Sequence, residues 1–396
     1  MKTILISFCD SLNLGDLLIV ECMENLIQPY GRYKTIDFNL CDKIDEHKNE
    51  IFIRKQKNSL FLLYQKYLRN FFVFDKLHEL KNRRDISKLN WENYRKLIDN
   101  SDLVIIGGGN AIFGLTKYTS SVDRVFKIVE YAKKQNKKIF LCSVGIGPFK
   151  SEKQIKKLNM LLQMCDYVTT RDQSSFEYLE LLDKNKYVST DPVLFLPSEI
   201  NKLNYLKQNN LGICVMDIRS NKMTEQQYVK YKNNLKKLII NLKKENDNIE
   251  IYLYSTDLND YITVYELSKE LKEKNVKVII KEINNIETLI DFYADLDLVI
   301  GTRMHSLIVA FSQLIPTIGF SWQPKVDGFF ETIGDSTSVY EIDKIGDEMD
   351  DVLDNVQKKL HDLNTEIIKI SNKKAMLKQK FDINNRILEE VRSEYL

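Results

Sequence analysis

The chain is poor in the residues that build most metal and redox centres. It has four histidines and six cysteines in 396 residues. No two cysteines stand in CxxC spacing, and none pairs with a histidine in a zinc-binding pattern. Cys9, Cys22, Cys41, Cys142, Cys165 and Cys214 sit mostly among apolar neighbours, where a free thiol behaves as a small hydrophobe. They read as reduced core residues of a cytoplasmic protein. A dominant charge is also lacking: 58 Lys+Arg against 56 Asp+Glu leaves a formal net charge of +2, so no general pull toward nucleic acid or an anionic membrane is expected. No uncharged run approaches the roughly 20 residues needed to cross a bilayer. The N-terminal apolar run is too short for a secretory leader and lacks a small-residue cleavage site. There is no GxGxxG and no Walker Lys-Ser/Thr. The nearest DxD, Asp295-Leu296-Asp297, leads straight into an apolar run, and no His/carboxylate cluster has ligand spacing. Neither a metal nor a resident cofactor is expected.

What is present points to a globular α/β protein. Hydrophobic residues make up 43% of the chain, an ordinary value for a packed domain, and its length suits two domains. Short branched or aromatic apolar runs at 3–9, 103–106, 138–143, 167–169, 212–216, 249–254, 276–280 and 298–300, with strand-like 316–320, read as strands. Several do not alternate, as expected of parallel strands covered on both faces. Helical periodicity fills 17–27, 122–135, 152–164, 174–182, 225–244, 264–274 and 286–294, which makes βαβ units. The polar stretch 197–210 reads as a linker, after which the pattern restarts. The expected division is a Rossmann-like domain over 1–205, a second over 206–345, and C-terminal helices over 346–396. The aromatic stretch 59–74, broken by Lys66 and Arg69, reads as an amphipathic helix with a following loop. Contact with the inner face of a membrane through it stays open.

Seven loops after strands carry the candidate chemistry. Asn13-Leu14-Gly15-Asp16 precedes a helix, and Asp16 reads equally as its N-cap or as a catalytic carboxylate. Gly107-Gly108-Gly109-Asn110 can expose N–H groups as an anion nest, or simply turn tightly. Gly145-Ile146-Gly147-Pro148 is a second pocket edge or a packing turn. Arg171-Asp172 places a guanidinium fork at a strand end, suited to carboxylate or phosphate, with a structural Arg–Asp pair as the alternative. Asp191, held extended before Pro192, either orients Arg171 or closes a turn. Arg303-Met304-His305 lies where a strand becomes a helix. His305 is the one histidine so placed, and Arg, His and a helix N-terminus together make an anion site. Trp322 and Lys325 add a ring for a sugar face and a further cation, or form a surface loop.

Taken in order, these pieces resemble the polysaccharide pyruvyltransferase family: Asn13-Leu14-Gly15-Asp16, Gly107-Gly108-Gly109, Gly145-Ile146-Gly147-Pro148, Arg171-Asp172 with Ser175, Asp191-Pro192, Arg303-Met304-His305, and Pro316, Trp322, Lys325 and Gly328. The family pattern commonly has a tyrosine where this chain has Trp322. The resemblance implies a fold similar to glycosyltransferase type B, with the active site between the domains. It also implies phosphoenolpyruvate as co-substrate and a saccharide acceptor, free or lipid-linked, in cell-surface polysaccharide synthesis. It places Arg303 and His305 at the donor site with Arg171. Lys325, Gly108 and Gly109 join them on chemical grounds. His305 and Asp16 are the candidate acid and base, and Asn13, Asn110 and Trp322 the acceptor side. Two rivals stand beside this reading. A sugar-nucleotide glycosyltransferase would use Asp257 on the donor ribose. A non-catalytic glycan- or anion-binding relative would keep the cleft without turnover.

Overall fold

The computed structural model describes residues 1–9, 11–38, 91–116, 119–180, 182–183, 185–197, 209–221 and 223–395. The aromatic stretch 59–74 and most of the 197–210 linker lie outside them, as does Cys41. The first lobe holds strands β1 (Lys2–Ser7), β2 (Arg32–Asp37), β3 (Leu103–Gly107), β4 (Lys138–Val144), β5 (Tyr167–Thr170) and β6 (Lys186–Val188). Its helices are α1 (Leu14–Ile27), α2 (Trp91–Asp99), α3 (Ser121–Lys134), α4 (Glu152–Met164) and the short α5 (Gln173–Glu177). In the second lobe the strands are β7 (Asn210–Cys214), β8 (Glu250–Tyr254), β9 (Ile279–Ile280), β10 (Leu298–Gly301), β11 (Thr317–Ser321) and β12 (Val339–Glu341). They alternate with α6 (Glu225–Glu245), α7 (Tyr261–Lys272), α8 (Ile286–Ala294), α9 (Met304–Ser312) and α10 (Pro324–Ile333). Helices α11 (Met349–His361), α12 (Leu363–Phe381) and α13 (Ile383–Ser393) follow.

Both sheets are parallel throughout. Their orders are β2-β1-β3-β4-β5-β6 and β12-β11-β10-β7-β8-β9. The central strands are buried at every position, as in the Leu103–Gly107 and Thr317–Ser321 runs. That is why their sequences are apolar without alternation. Strands β2, β6 and β12 were not expected from the sequence. They lie at sheet edges and mix exposed or half-buried polar residues with apolar ones, so no apolar run marks them. The expected strand 276–280 shortens to Ile279–Ile280, and the expected helix 174–182 to Gln173–Glu177.

Each sheet has an order reversal, between β1 and β3 in one lobe and between β7 and β10 in the other. Ligands of open α/β sheets bind at such points, beyond the carboxyl ends of the strands. The outer faces have separate cores, one under α3 and α4 and one under α6, α7 and α11. The inner faces share a core. Leu18, Ile19 and Met23 of α1 join Phe292 and Tyr293 of α8, Leu307 and Phe311 of α9, and Phe381, Leu388 and Val391 of the terminal helices. The C-terminal helices are thereby divided between the lobes. Helix α11 packs on the second lobe through Val352 and Val356. Helix α13 returns to the first, where Tyr167 Oη donates to Glu390 (2.8 Å) and Lys138 pairs with Glu394 (2.8 Å). Between them, Lys374 of α12 donates to the carbonyls of Ser312 (2.7 Å) and Leu196 (3.4 Å), one from each lobe. Among the described residues no helix is long and apolar enough to cross a membrane.

Candidate active site between the lobes

The loop after β1 docks directly on the second lobe. The Leu14 N–H donates to Thr256 O (2.8 Å) and the Leu258 N–H to Leu12 O (3.3 Å), while Asn13 and Asp257 form an antiparallel bridge. The N-cap of α1 is Asn13, whose Oδ1 accepts from the Gly15 N–H (2.9 Å). Asp16 sits in the first turn instead, and its carboxylate accepts from Ser11 Oγ (2.7 Å). Burial pushes the Asp16 carboxyl upward and Asp257 adds to this, against Ser11, Lys325 and Arg303. Gly15 lies against the imidazole of His305: a Cβ there would come within 2.3 Å of both Cγ and Nδ1. Overpacking of this kind costs about 1–3 kcal/mol. Gly15→Ala is therefore expected to lower the thermal midpoint, measured by calorimetry; an unchanged midpoint would show that the lobes part at this contact without penalty.

Arg171 continues from β5 and is 7% exposed, so its charge needs partners. Its Nε donates to Asp172 (3.2 Å), and Nη1 lies 3.6 Å from Asp191 Oδ2. Gly145 admits the guanidinium, since a Cβ there would stand 2.9 Å from Nε. Asp172 also caps α5 through the Ser175 N–H (2.7 Å). Burial opposes its charge, but Arg171 and the serine donors outweigh this and hold the carboxyl low. Asp191 caps the short 3-10 turn Pro192–Phe195 with Oδ1, on the Val193 N–H (3.1 Å). Its Oδ2 is buried without a hydrogen bond. Burial raises its carboxyl despite Arg171.

From the second lobe, α9 delivers Arg303 and His305. Arg303 is anchored within its own lobe: Nε and Nη2 donate to Asp260 (2.7 and 2.9 Å), and Nη2 also meets Asp257 (3.1 Å). Burial works against its charge, but Asp260 and Asp257 overcome this and raise the guanidinium. Its charge is thus largely countered. Asp257 further accepts from both nitrogens of Asn259. His305 crosses to the first lobe. Its Nε2 is buried, has no hydrogen bond, and stands 3.9 Å from Asp191 Oδ2, which also lacks one. Burial, then Arg171, Lys325 and Arg303, push the imidazole well below its ordinary value, so it is neutral at pH 7. Lys325, in the first turn of α10, forms no ion pair among the described residues. Burial and the two arginines lower its ammonium to about 7, with Asp16 opposing.

A pocket opens beside this cluster, lined by Arg171, Asp172 and Asp191 from one lobe and by Met304, Lys325 and Phe329 from the other. The remaining sequence candidates are placed differently. Gly108 and Gly109 have positive φ and lie against Ile19 of α1, and the Gly108 N–H donates to Cys142 O (2.9 Å). Their first role is close packing rather than an open nest. Asn110 is half-buried at the end of that loop. Trp322 is half-buried, donates its indole N–H to Thr302 O (3.0 Å), and carries Lys325 Nζ over its ring at 5.5 Å. Asp260 escaped the sequence reading. The signal is the acid pair Asp257 and Asp260 after β8; Asp257 is the ribose candidate of the rival reading, and nothing in the sequence marks either as an anchor for Arg303.

Two parallel lobes, closed over a cleft and tied by a returning C-terminal helix, make a protein of the glycosyltransferase type B fold. UDP-GlcNAc 2-epimerase from Neisseria meningitidis, solved with UDP-GlcNAc, has a TM-score of 0.58 at 10% identity, with 100% of both chains covered. HepE from Anabaena, solved with UDP, has a TM-score of 0.56 at 12% identity, covering 99% of this chain and 100% of that one. These likenesses concern the fold. No curated protein matches the chain. By sequence it belongs to the polysaccharide pyruvyl transferase family, whose model matches residues 13–324, from Asn13 through Arg171, Asp191, Arg303 and His305, and ends one residue before Lys325.

Proposed function

We propose that the protein transfers the pyruvyl group of phosphoenolpyruvate to two hydroxyls of a saccharide, free or lipid-linked, forming a cyclic ketal and releasing phosphate. The observation that carries this reading is the pair of buried atoms without hydrogen bonds, His305 Nε2 and Asp191 Oδ2, 3.9 Å apart and beside an interlobe pocket lined by Asp191, the Arg171 guanidinium and the Lys325 ammonium, which has no ion pair among the described residues. A donor with a carboxylate and a phosphate suits Arg171, whose fork keeps donors to spare, and Lys325. Arg303, anchored on Asp260 and Asp257, contributes field and position more than a free hand.

Ketal formation needs a proton on the methylene carbon, attack of one hydroxyl oxygen on C2, cleavage of the C2–O bond to phosphate, and attack of the second hydroxyl. His305 is the acid. It is neutral without the donor because burial, and then the cations around it, oppose its charge; donor anions beside it offset those cations and let Nε2 take up a proton, with Asp191 facing the imidazolium. Asp16, raised by burial, is the base that receives hydroxyl protons. Asn13, Asn110 and Trp322 lie on the acceptor side, and the reaction requires no resident cofactor. The sugar-nucleotide reading is the weaker one. Asp257, its candidate ribose ligand, is already taken by Arg303 and Asn259. Phosphate release from phosphoenolpyruvate, assayed against a panel of free and lipid-linked glycans, tests the proposal. Turnover of a nucleotide sugar with no phosphate release from phosphoenolpyruvate would replace it.

A further inference from the structure

The last helix reaches back under the cluster. Asn384, in the first turn of α13, is completely buried in the first lobe. Its Oδ1 accepts from Thr169 Oγ1 (2.7 Å), and its Nδ2 donates to Ser143 Oγ (3.0 Å) and Ser189 Oγ (2.8 Å). The three hydroxyls come from β4, from β5 and from just past β6, and they are tied to one another as well. Ser143 Oγ donates to Ser189 Oγ (3.2 Å), and the Ser143 N–H to Thr169 Oγ1 (2.8 Å). Ser143 is also where the β4–β5 register shifts and where φ turns positive. The strands are thus held here by side chains where the regular ladder is interrupted.

Side chains two residues apart in extended chain project to the same side. Two residues beyond Thr169 is Arg171. Two beyond Ser189 is Asp191. The layer held by Asn384 therefore lies one step beneath the layer that faces His305. We propose that Asn384 is a positioning residue of the active site: through Ser143, Thr169 and Ser189 it fixes the strand ends so that Arg171 and Asp191 meet His305 across the cleft. This rests on reading the Arg171–Asp191–His305 cluster as the working site, whatever donor it takes.

The test needs no substrate. The full chain is labelled with 15N-histidine, and the His305 titration is followed by NMR, which is tractable with four histidines. Arg171, Lys325, Arg303 and Asp191 face the imidazole. Asn384→Leu keeps the branched outline but frees the three hydroxyls, so Arg171 loosens and the His305 midpoint is expected to rise by about half a pH unit or more. Lys359→Met breaks a buried ion pair with Asp335 and Glu366 in the second lobe. It is expected to lower thermal stability and leave the midpoint alone. A folded Asn384→Leu protein with an unmoved midpoint overturns the inference. If that variant does not fold, Ser189→Ala decides in the same way: a raised midpoint supports the role and an unmoved one overturns it. Absence of phosphate release from phosphoenolpyruvate would sink the donor assignment and leave this inference standing; an unmoved midpoint would do the reverse.

Discussion

Replacing His305 by alanine is expected to lower phosphate release from phosphoenolpyruvate by about 10²–10⁴-fold, the range a positioned acid or base contributes. The expectation comes from placement. The imidazole sits in the first turn of α9, lies against Gly15 of the facing lobe, and has a nitrogen without a hydrogen bond 3.9 Å from Asp191. A histidine kept for structure would normally have its ring nitrogens bonded. Steady-state assays with saturating phosphoenolpyruvate check it, and near-normal turnover would remove His305 from the chemistry. The same substitution has a second signature. The folded-state value of His305 lies well below the unfolded one, near 6.5. As pH falls below about 6.5 the unfolded chain takes up this proton first, so stability is lost on acidification and recovered as pH rises. The alanine variant lacks that contribution. Its thermal midpoint is therefore expected to fall less than that of the unaltered protein between pH 7.5 and 5.5.

Lys325→Met is expected to weaken phosphoenolpyruvate binding by roughly 10- to 100-fold, the loss of one charge-assisted contact. Lys325 lacks a carboxylate partner among the described residues, yet it stands with Arg171 and Arg303. In the empty protein its ammonium is lowered to about 7. Above that pH it is mostly neutral, and binding a multiply charged anion must bring a proton with it. Affinity for phosphoenolpyruvate should accordingly decline as pH rises through 7. Titration calorimetry in buffers of different ionisation heat should show proton uptake at pH 8, and the methionine variant should lose that uptake. Equal affinities at pH 6.5 and 8.5 in the unaltered protein would count against Lys325 as a donor contact.

The layout of the fold was largely legible in the sequence, for a physical reason. Strands buried on both faces must be apolar at every position, and Leu103–Gly107 or Leu298–Gly301 cannot be mistaken for surface. Edge strands such as Arg32–Asp37 obey no such rule and went unseen. Much of the candidate site was legible because ligands of such sheets gather at strand ends, where Arg171 and His305 stand. The relations between these residues were not. That Asn13 rather than Asp16 caps α1, that Gly15 makes room for His305, and that Asp260 anchors Arg303 depend on surfaces meeting across the cleft. Asn384 was beyond reach for the same reason. It looks like any helix asparagine until three hydroxyls from other parts of the chain close around it.

The route of the chain also has a consequence in time. Residues 143, 169 and 189 leave the ribosome long before residue 384, with the entire second lobe made in between. Domains tend to fold in the order of their synthesis, so the first lobe must wait, its sheet assembled but its three hydroxyls not yet joined by the Asn384 amide, until helix α13 arrives to finish it. A nascent chain can thus hold every loop of the cleft and still lack the piece that sets them in place.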